Sequence, residues 1–216
     1  MIPVKICGLT RPEDALLAAE LGAAALGFIF HPHSPRWVAR ETVAAICRLL
    51  PPAVARVGVF VNPDLPTVVE CATAAGLTHV QLHGRESIAF CRQVPLPVIK
   101  AIRTRGELED CAGFRPAAFL IDSQTATQFG GTGRLADWTL CEQARTHAPV
   151  ILAGGISAGN LAGALAVARP DALDLSSSVE SSPGRKDHHK LREFFAAVHA
   201  LAAAQQPWRN IFSREA

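Results

Sequence analysis

The sequence predicts an α/β fold, a single (βα)8 TIM barrel with eight parallel strands, because short apolar runs alternate with amphipathic stretches. Eight runs are rich in apolar and β-branched residues, at residues 4–7, 25–30, 56–61, 79–82, 98–102, 118–122, 150–153 and 172–175. Near-continuous apolar runs are typical of strands buried on both faces, as in parallel sheets. Eight such units in 216 residues favour a closed barrel over an open sheet.

The segments between these runs have the apolar periodicity of helices. Helices are predicted over residues 11–21, 40–50, 65–75, 86–93, 135–146, 158–168 and 187–202, with a brief eighth segment at 106–113. Thr10 and Glu13 have the spacing of a capping box at the start of the first helix. We predict one domain over 1–216, with 203–216 forming a final turn or a C-terminal tail.

The composition argues against several classes of protein. The net charge of +2 is too balanced to predict a nucleic-acid surface. The apolar runs are far shorter than the ~20 residues of a membrane-spanning helix, and the chain opens on a strand-like run rather than a signal peptide. The six cysteines are scattered without a C-x-x-C pair, which predicts free thiols in a reducing cytoplasm rather than disulfides or a zinc site.

Chemically useful side chains concentrate at the carboxyl ends of the predicted strands, where barrel enzymes have their active sites. Cys7 ends the first strand and Asp122 ends the sixth, so a thiol and a carboxyl should face each other across the barrel mouth. Such a pair suits a proton-transfer isomerisation, with Cys7 as base and Asp122 as acid. These roles require the pKa of Cys7 to be lowered by nearby positive charge and that of Asp122 to be raised. Taken singly, Cys7 could be a buried strand residue and Asp122 a helix cap.

The last two loops at this end predict a phosphate site. Gly154 and Gly155 follow the seventh strand, and Ser177 and Ser178 follow the eighth. Glycine lets the backbone approach phosphate oxygens, and serine adds hydroxyl donors. The alternative is that the glycines only form a tight turn. The glycine-rich segment 130–133 is too short for a dinucleotide-binding motif and is predicted to be a loop that closes over substrate.

Four further residues near the mouth, one arginine and three histidines, are also candidates for binding. Arg36 ends a loop stiffened by two prolines, so it could bind a substrate carboxylate or lie in solvent. His83 could contact substrate or satisfy a backbone group. His31 and His33 are close in sequence, but no acidic residue lies beside them, so no metal is predicted.

Taken together and in order, these motifs resemble one family, phosphoribosylanthranilate isomerase of tryptophan biosynthesis. The matching segments run from the fifth residue to about the 187th, and they are Lys5–Thr10, Gly27–Phe30 with Ser34–Arg36, Gly58–Asn62, Val80–Gly84, Leu120–Ser123, Gly130–Gly133, Leu152–Ile156, and Asp174–Glu180 with Pro183–Asp187.

The resemblance implies an Amadori rearrangement without a cofactor. The residue matching the family's acid, Asp122, would protonate the ribose ring oxygen, and the residue matching its base, Cys7, would remove the proton from the second sugar carbon. Arg36 would contact the anthranilate carboxylate, and backbone around Gly155, Ser177 and Ser178 would bind phosphate. The family usually has glycine at Ser178, and a left-handed serine there would cost on the order of 1 kcal/mol.

Other functions fit the sequence less well. The related histidine-pathway sugar isomerase would have Asp at Cys7 and a second phosphate loop after the third strand, where Asn62 is followed by no glycine or serine pair. A class I aldolase would need a Schiff-base lysine at a strand end, and Lys5 and Lys100 lie within strands. A metal-dependent epimerase would need inward histidines and carboxylates on several strands, and a non-catalytic phosphate-binding barrel would not need Cys7.

We expect a small phosphosugar substrate and a monomer or homodimer.

Overall fold

The computed structural model describes residues 1–122, 139–202 and 208–213, and its strands form the closed parallel barrel that the sequence predicts. The barrel strands are β1 Val4–Cys7, β2 Ala25–Ile29, β3 Ala55–Phe60, β4 His79–Leu82, β5 Val98–Ile102, β6 Ala118–Asp122, β7 Val150–Ala153 and β8 Ala172–Leu175. Each strand pairs with the next, and β8 closes the barrel on β1. Only β2 and β3 differ from the predicted bounds. Strand β2 ends one residue earlier than predicted, and β3 both begins and ends one residue earlier.

Helices connect the strands, and they are α1 Pro12–Glu20, α2 Arg40–Leu49, α3 Leu65–Ala75, α4 Ile88–Cys91, α5 Arg105–Glu109, α6 Thr139–Arg145, α7 Leu161–Ala168 and α8 His188–Ala202. The helices predicted over 86–93 and 158–168 begin later, because Ser87 caps α4 and Asn160 precedes α7. The first part of the helix predicted over 135–146 lies outside the described residues. Within the described segments, no helix is long and apolar enough to cross a membrane.

The capping box predicted at the first helix is wrong. Arg11 occupies the N-cap position and its side chain makes no capping bond; instead it pairs with Glu13. The hydroxyl of Thr10 donates to the carbonyl oxygen of Gly184 at 2.6 Å. Thr10 therefore fixes a segment near the end of the chain rather than the helix that follows it.

That segment is a small hairpin that the sequence analysis did not predict. After β8 the chain forms a short 3-10 helix, Ser177–Val179, and then two antiparallel strands, β9 Glu180–Ser182 and β10 Arg185–Lys186. Gly184 in the turn has φ 80°, a left-handed conformation that favours glycine. The hairpin is anchored to the loop after β1 by the bond from Thr10.

The two-residue period of the strands divides the apolar side chains into two layers. One layer lies between the strands and the helices and includes Val4 and Ile6. The other fills the barrel interior with mostly small residues from every strand except β1 and β4. On β1 the inward positions are taken by Lys5 and Cys7, which brings polar groups into the carboxyl half of the barrel.

The C-terminal tail closes the amino end of the barrel. Ile211 and Phe212 belong to the same buried cluster as the inward-facing strand residues. The ring of Phe212 lies edge-on to that of His79, the first residue of β4, with 6.2 Å between centroids. Ile211 and Phe212 of the predicted tail are thus packed at the end opposite the mouth, while 203–207 and 214–216 lie outside the described residues.

We predict that Phe212→Ala lowers the free energy of unfolding by about 3 kcal/mol, because the substitution leaves a cavity at the amino end of the barrel. Urea denaturation followed by circular dichroism measures the loss. Leu49→Ala is the control, since that side chain is 56% exposed and its removal should cost less than about 0.5 kcal/mol. Equal effects of the two substitutions would show that the tail does not pack against the barrel.

Candidate active site

A cavity of about 260 Å³ opens at the carboxyl ends of the strands, and every residue that the sequence analysis assigned to the site lines it. These residues are Cys7, Arg36, His83, Asp122, Gly154, Gly155, Ser177 and Ser178. They come from loops and strand ends spread over the chain, and closure of the barrel brings them together. The predicted closing loop at 130–133 lies outside the described residues.

Cys7 is held firmly at the wall of this cavity. It is the last residue of β1 and only 5% exposed, and its carbonyl oxygen accepts a hydrogen bond from Lys186 Nζ at 2.6 Å. On the neighbouring strand β2 stands Gly27, where a Cβ would lie 2.9 Å from Cys7 Sγ. A side chain at position 27 would therefore displace the thiol.

The electrostatic surroundings of Cys7 differ from those expected. Burial raises the pKa of the thiol, and the nearby Asp174 carboxylate adds to this effect. The positive charges of Lys5 and Lys186 act in the opposite direction but do not outweigh burial. The expectation of a lowered pKa for Cys7 is therefore wrong, because the thiol is removed from water.

Lys5 and Asp174 are the residues that sequence reasoning missed around Cys7. Lys5 is fully buried, and its ammonium lies 2.8 Å from Asp174 Oδ1 while also contacting the Cys7 thiol. Lys5 lies within β1 rather than at its end, so the strand-end rule does not identify it. Its spacing could have identified it, because a residue two positions before Cys7 on one strand shares the inner face with Cys7.

On the other side of the cavity, His83 lies between Asp122 and Gln81. His83 Nε2 is 3.4 Å from Asp122 Oδ2, and the side-chain nitrogen of Gln81 lies 2.9 Å from His83 Nδ1. With Gln81 donating to Nδ1, the ring proton of neutral His83 lies on Nε2 and faces the carboxyl of Asp122. The Gln81 carbonyl oxygen is buried and accepts no hydrogen bond from the described residues.

Arg36 is fixed over the mouth rather than solvated. Its Nε and Nη2 donate to the two carboxylate oxygens of Glu180, at 3.0 and 2.7 Å. Glu180 also accepts from Lys186 Nζ at 2.9 Å. Burial opposes ionisation of Glu180, but the hydrogen bonds from Arg36 and Lys186 prevail and lower the pKa of Glu180. The outer guanidinium edge, Nη1 with the second Nη2 proton, makes no hydrogen bond to the described residues.

The loops after β7 and β8 form the third wall of the cavity. Gly154 and Gly155 have φ of 82° and 67°, so both need the left-handed conformation that glycine allows. The carbonyl oxygen of Gly155 accepts from Asn160 Nδ2 at 2.9 Å, which holds the loop. Among the described residues only Asn62 and Arg169 are non-glycine residues with positive φ. Ser178 is therefore not left-handed, and the backbone strain considered for it is absent.

A metal centre has no support in the parts of the chain described here. Residues 1–122, 139–202 and 208–213 contain no group of three or more His, Cys, Asp or Glu side chains that could hold a metal ion. The rings of His31 and His33 contact each other edge to face, with 5.4 Å between centroids.

Comparison with known proteins gives one consistent family. The family model described as N-(5'-phosphoribosyl)anthranilate (PRA) isomerase matches residues 4–197. An N-(5'-phosphoribosyl)anthranilate isomerase from Pelobacter propionicus is 47% identical over 196 residues, which cover 90% of this chain and 94% of the relative.

Solved structures of the same family share the fold. The phosphoribosyl anthranilate isomerase of Thermotoga maritima, a dimeric protein, is 40% identical with a TM-score of 0.83 and covers 93% of this chain and 100% of its own. A second structure, 38% identical with a TM-score of 0.80, covers the same shares. It contains reduced 1-(o-carboxyphenylamino)-1-deoxyribulose 5-phosphate.

The raised pKa of Cys7 predicts how its reactivity depends on pH. The thiolate is the nucleophile, so the rate of alkylation by iodoacetamide should rise about tenfold per pH unit from pH 7 to 9 without a plateau. Peptide mapping by mass spectrometry follows modification of Cys7 separately from that of the other cysteines, and Cys7→Ser is the control. A plateau below pH 8 would show that positive charge, not burial, dominates the thiol.

Proposed function

The chain belongs to the N-(5'-phosphoribosyl)anthranilate isomerase family, and from this premise we propose that Cys7 is its general base and Asp122 its general acid. The enzyme is an isomerase of tryptophan biosynthesis and converts N-(5-phosphoribosyl)anthranilate to 1-(2-carboxyphenylamino)-1-deoxyribulose 5-phosphate. The observation that carries the assignment of roles is that a thiol and a carboxyl, on β1 and β6, line one cavity of substrate size.

In the proposed reaction, Asp122 protonates the ribose ring oxygen, and the ring opens to a Schiff base between the sugar and the anthranilate nitrogen. The thiolate of Cys7 then removes the proton from the second sugar carbon, and the enolamine that results tautomerises to the ketone. His83 supports the first step, because its Nε2 proton faces Asp122 and can stabilise the carboxylate left after proton transfer. A raised pKa makes the Cys7 thiolate a stronger base toward carbon once it forms.

We assign the anthranilate carboxylate to Arg36. Glu180 occupies one edge of the guanidinium and leaves the outer edge available for a second carboxylate. A planar guanidinium can bind carboxylates on two edges at once because its five N–H groups lie in a fixed fork. The ion pair with Glu180 also keeps Arg36 from rotating away, so the carboxylate meets a preformed donor.

The phosphate is assigned to the wall formed by Gly154, Gly155, Ser177 and Ser178. Left-handed glycines let the backbone approach the phosphate closely, and the serines supply hydroxyl donors. The unpaired carbonyl oxygen of Gln81 suits a sugar hydroxyl as donor. No cofactor, nucleic acid or membrane has a part in the proposal. A monomer or homodimer in the cytoplasm is proposed, and the six free buried cysteines suit that reducing compartment.

We predict that Cys7→Ala and Asp122→Asn each lower kcat at least about a hundredfold, because each removes one proton-transfer group from the transition state. Loss of the fluorescence of phosphoribosylanthranilate measures turnover, and circular dichroism checks the fold. Near-normal turnover of either variant would reject the role of that residue.

The same assay with EDTA present is the control for the cofactor-free mechanism. Turnover of the unsubstituted protein should be unchanged by EDTA. Activity abolished by EDTA and restored by a divalent cation would contradict the proposed mechanism, and no turnover at all would contradict the substrate.

A separate prediction concerns Arg36. Arg36→Lys retains the positive charge but loses the fork, so KM should rise about tenfold with a smaller change in kcat. The matched control is Arg40→Lys, an arginine that lies outside the cavity and pairs with surface carboxylates. A KM unchanged in both variants would show that Arg36 does not hold the substrate carboxylate.

A further inference from the structure

The buried ammonium group of Lys5 lies beside the proposed base, and the proposed reaction gives it no role. We propose that Lys5 is a positioning residue that stabilises the Cys7 thiolate, and that Asp174 holds Lys5 in place for this purpose. The inference rests on the proposed role of Cys7. It extends that role by naming the groups that set how readily the thiol ionises.

Lys5 is buried where a charged side chain is unfavourable, so its position needs a physical reason. The side chain is completely excluded from solvent within the strand β1, whose other residues are apolar or Cys7. Placing an ammonium group in such an interior is costly unless it is paired. Asp174 supplies the pair at 2.8 Å, and the two residues lie directly opposite each other in the register of β1 and β8.

The geometry also directs the ammonium group toward the thiol. Lys5 and Cys7 are two residues apart on one strand, so both point into the barrel. A Cβ at Gly27 would lie 3.0 Å from Lys5 Nζ and 2.9 Å from Cys7 Sγ, so both groups occupy the space beside this one glycine. The Lys5 ammonium is bonded to Asp174 at this position, so it can stabilise a thiolate at Cys7 without leaving the carboxylate.

Lys5 remains charged in the range where the thiol ionises. Burial acts to lower the pKa of Lys5, but Asp174 and Cys7 outweigh burial and raise it. The ammonium is therefore present as a counter-charge when Cys7 loses its proton. Since burial alone penalises the thiolate, removal of Lys5 would make ionisation of Cys7 still harder.

The other charged groups facing Cys7 are less suited to this role. Lys186 on β10 uses its ammonium on the carbonyl oxygens of Cys7 and Ser176 and on Glu180 Oε1. Arg36 is committed to Glu180 through Nε and Nη2. Lys186 thus fixes the backbone of Cys7, while Lys5 is the cation that reaches the sulfur.

The test measures iodoacetamide alkylation of Cys7 against pH in two variants. Lys5→Met with Asp174→Asn removes both charges together, so that no unpaired carboxylate is left buried. The alkylation profile should move to higher pH by at least one unit, which is about a tenfold slower reaction at pH 7.5. The pH profile of kcat/KM should move in the same direction.

Asp174→Asn alone is the matched variant, and it tests whether the carboxylate keeps Lys5 charged. Burial lowers the pKa of Lys5 and Asp174 raises it, so without the carboxylate the ammonium should be lost and the alkylation profile of Cys7 should again move to higher pH. Because this substitution is nearly isosteric, it answers the question even where the double variant does not fold. A merely structural pair would give no shift or a shift to lower pH, since removal of a carboxylate beside Cys7 by itself favours the thiolate.

The outcomes separate the inference from the proposed function. An unshifted alkylation profile in the double variant would overturn the role of Lys5, and a shift to lower pH in Asp174→Asn would overturn that of Asp174. A shifted alkylation profile with an unshifted kcat/KM profile supports the Lys5–Cys7 interaction and contradicts the assignment of Cys7 as base. Retained turnover in Cys7→Ala contradicts that assignment independently of Lys5.

Discussion

Strand β8 closes the barrel by pairing with β1, and this pairing sets Asp174 directly opposite Lys5, 169 residues earlier in the chain. The remaining features of the mouth depend on it. It brings the loop after β8, with Ser177 and Ser178, next to Cys7 at the end of β1. It also leads the chain into the hairpin β9–β10, from which Lys186 reaches back to the carbonyl oxygen of Cys7.

The two ends of the barrel interior are filled by different kinds of side chain. The amino half is filled by small apolar side chains and sealed by Ile211 and Phe212 from the tail. The carboxyl half contains the ion pair Lys5–Asp174 and the amide of Gln81 instead. Buried charges are tolerated when each has a partner, so the carboxyl end contains fixed polar groups in place of apolar packing, and the tail packs against the opposite end.

Glu180 links the proposed carboxylate-binding group, Arg36, to the proposed base, Cys7. Its carboxylate accepts hydrogen bonds from Arg36 in the loop after β2 and from Lys186 on β10. Lys186 in turn donates to the carbonyl oxygen of Cys7. A single buried carboxylate therefore sets the positions of the proposed carboxylate-binding group and of the proposed base. Preorganisation of this kind means that neither group has to be ordered when substrate arrives.

Local pattern was sufficient to predict most of the fold and to predict that the candidate site residues line one cavity. The two-residue and helical periods are properties of neighbouring residues, so the predicted bounds of all eight strands lie within one residue of those in the structure. The rule that barrel sites lie at the carboxyl ends of strands placed Cys7, Arg36 and Asp122 at one mouth. The same reasoning failed at Thr10, whose hydroxyl bonds to the distant Gly184 instead of capping the adjacent helix. It also failed for the short hairpin, which has no apolar period of its own.

Patterns along the chain were enough to predict the order of strands and helices and to bring the candidate site residues to the carboxyl ends of the strands. The partners of the charged groups at that end follow from the folded barrel alone: Lys5 pairs with Asp174, Arg36 with Glu180, and Lys186 with the Cys7 carbonyl. It also decided that burial, rather than neighbouring positive charge, dominates the Cys7 thiol. The physical reason is that periodicity is set within a few residues, whereas partners and solvent exclusion are set by segments that closure of the barrel brings together.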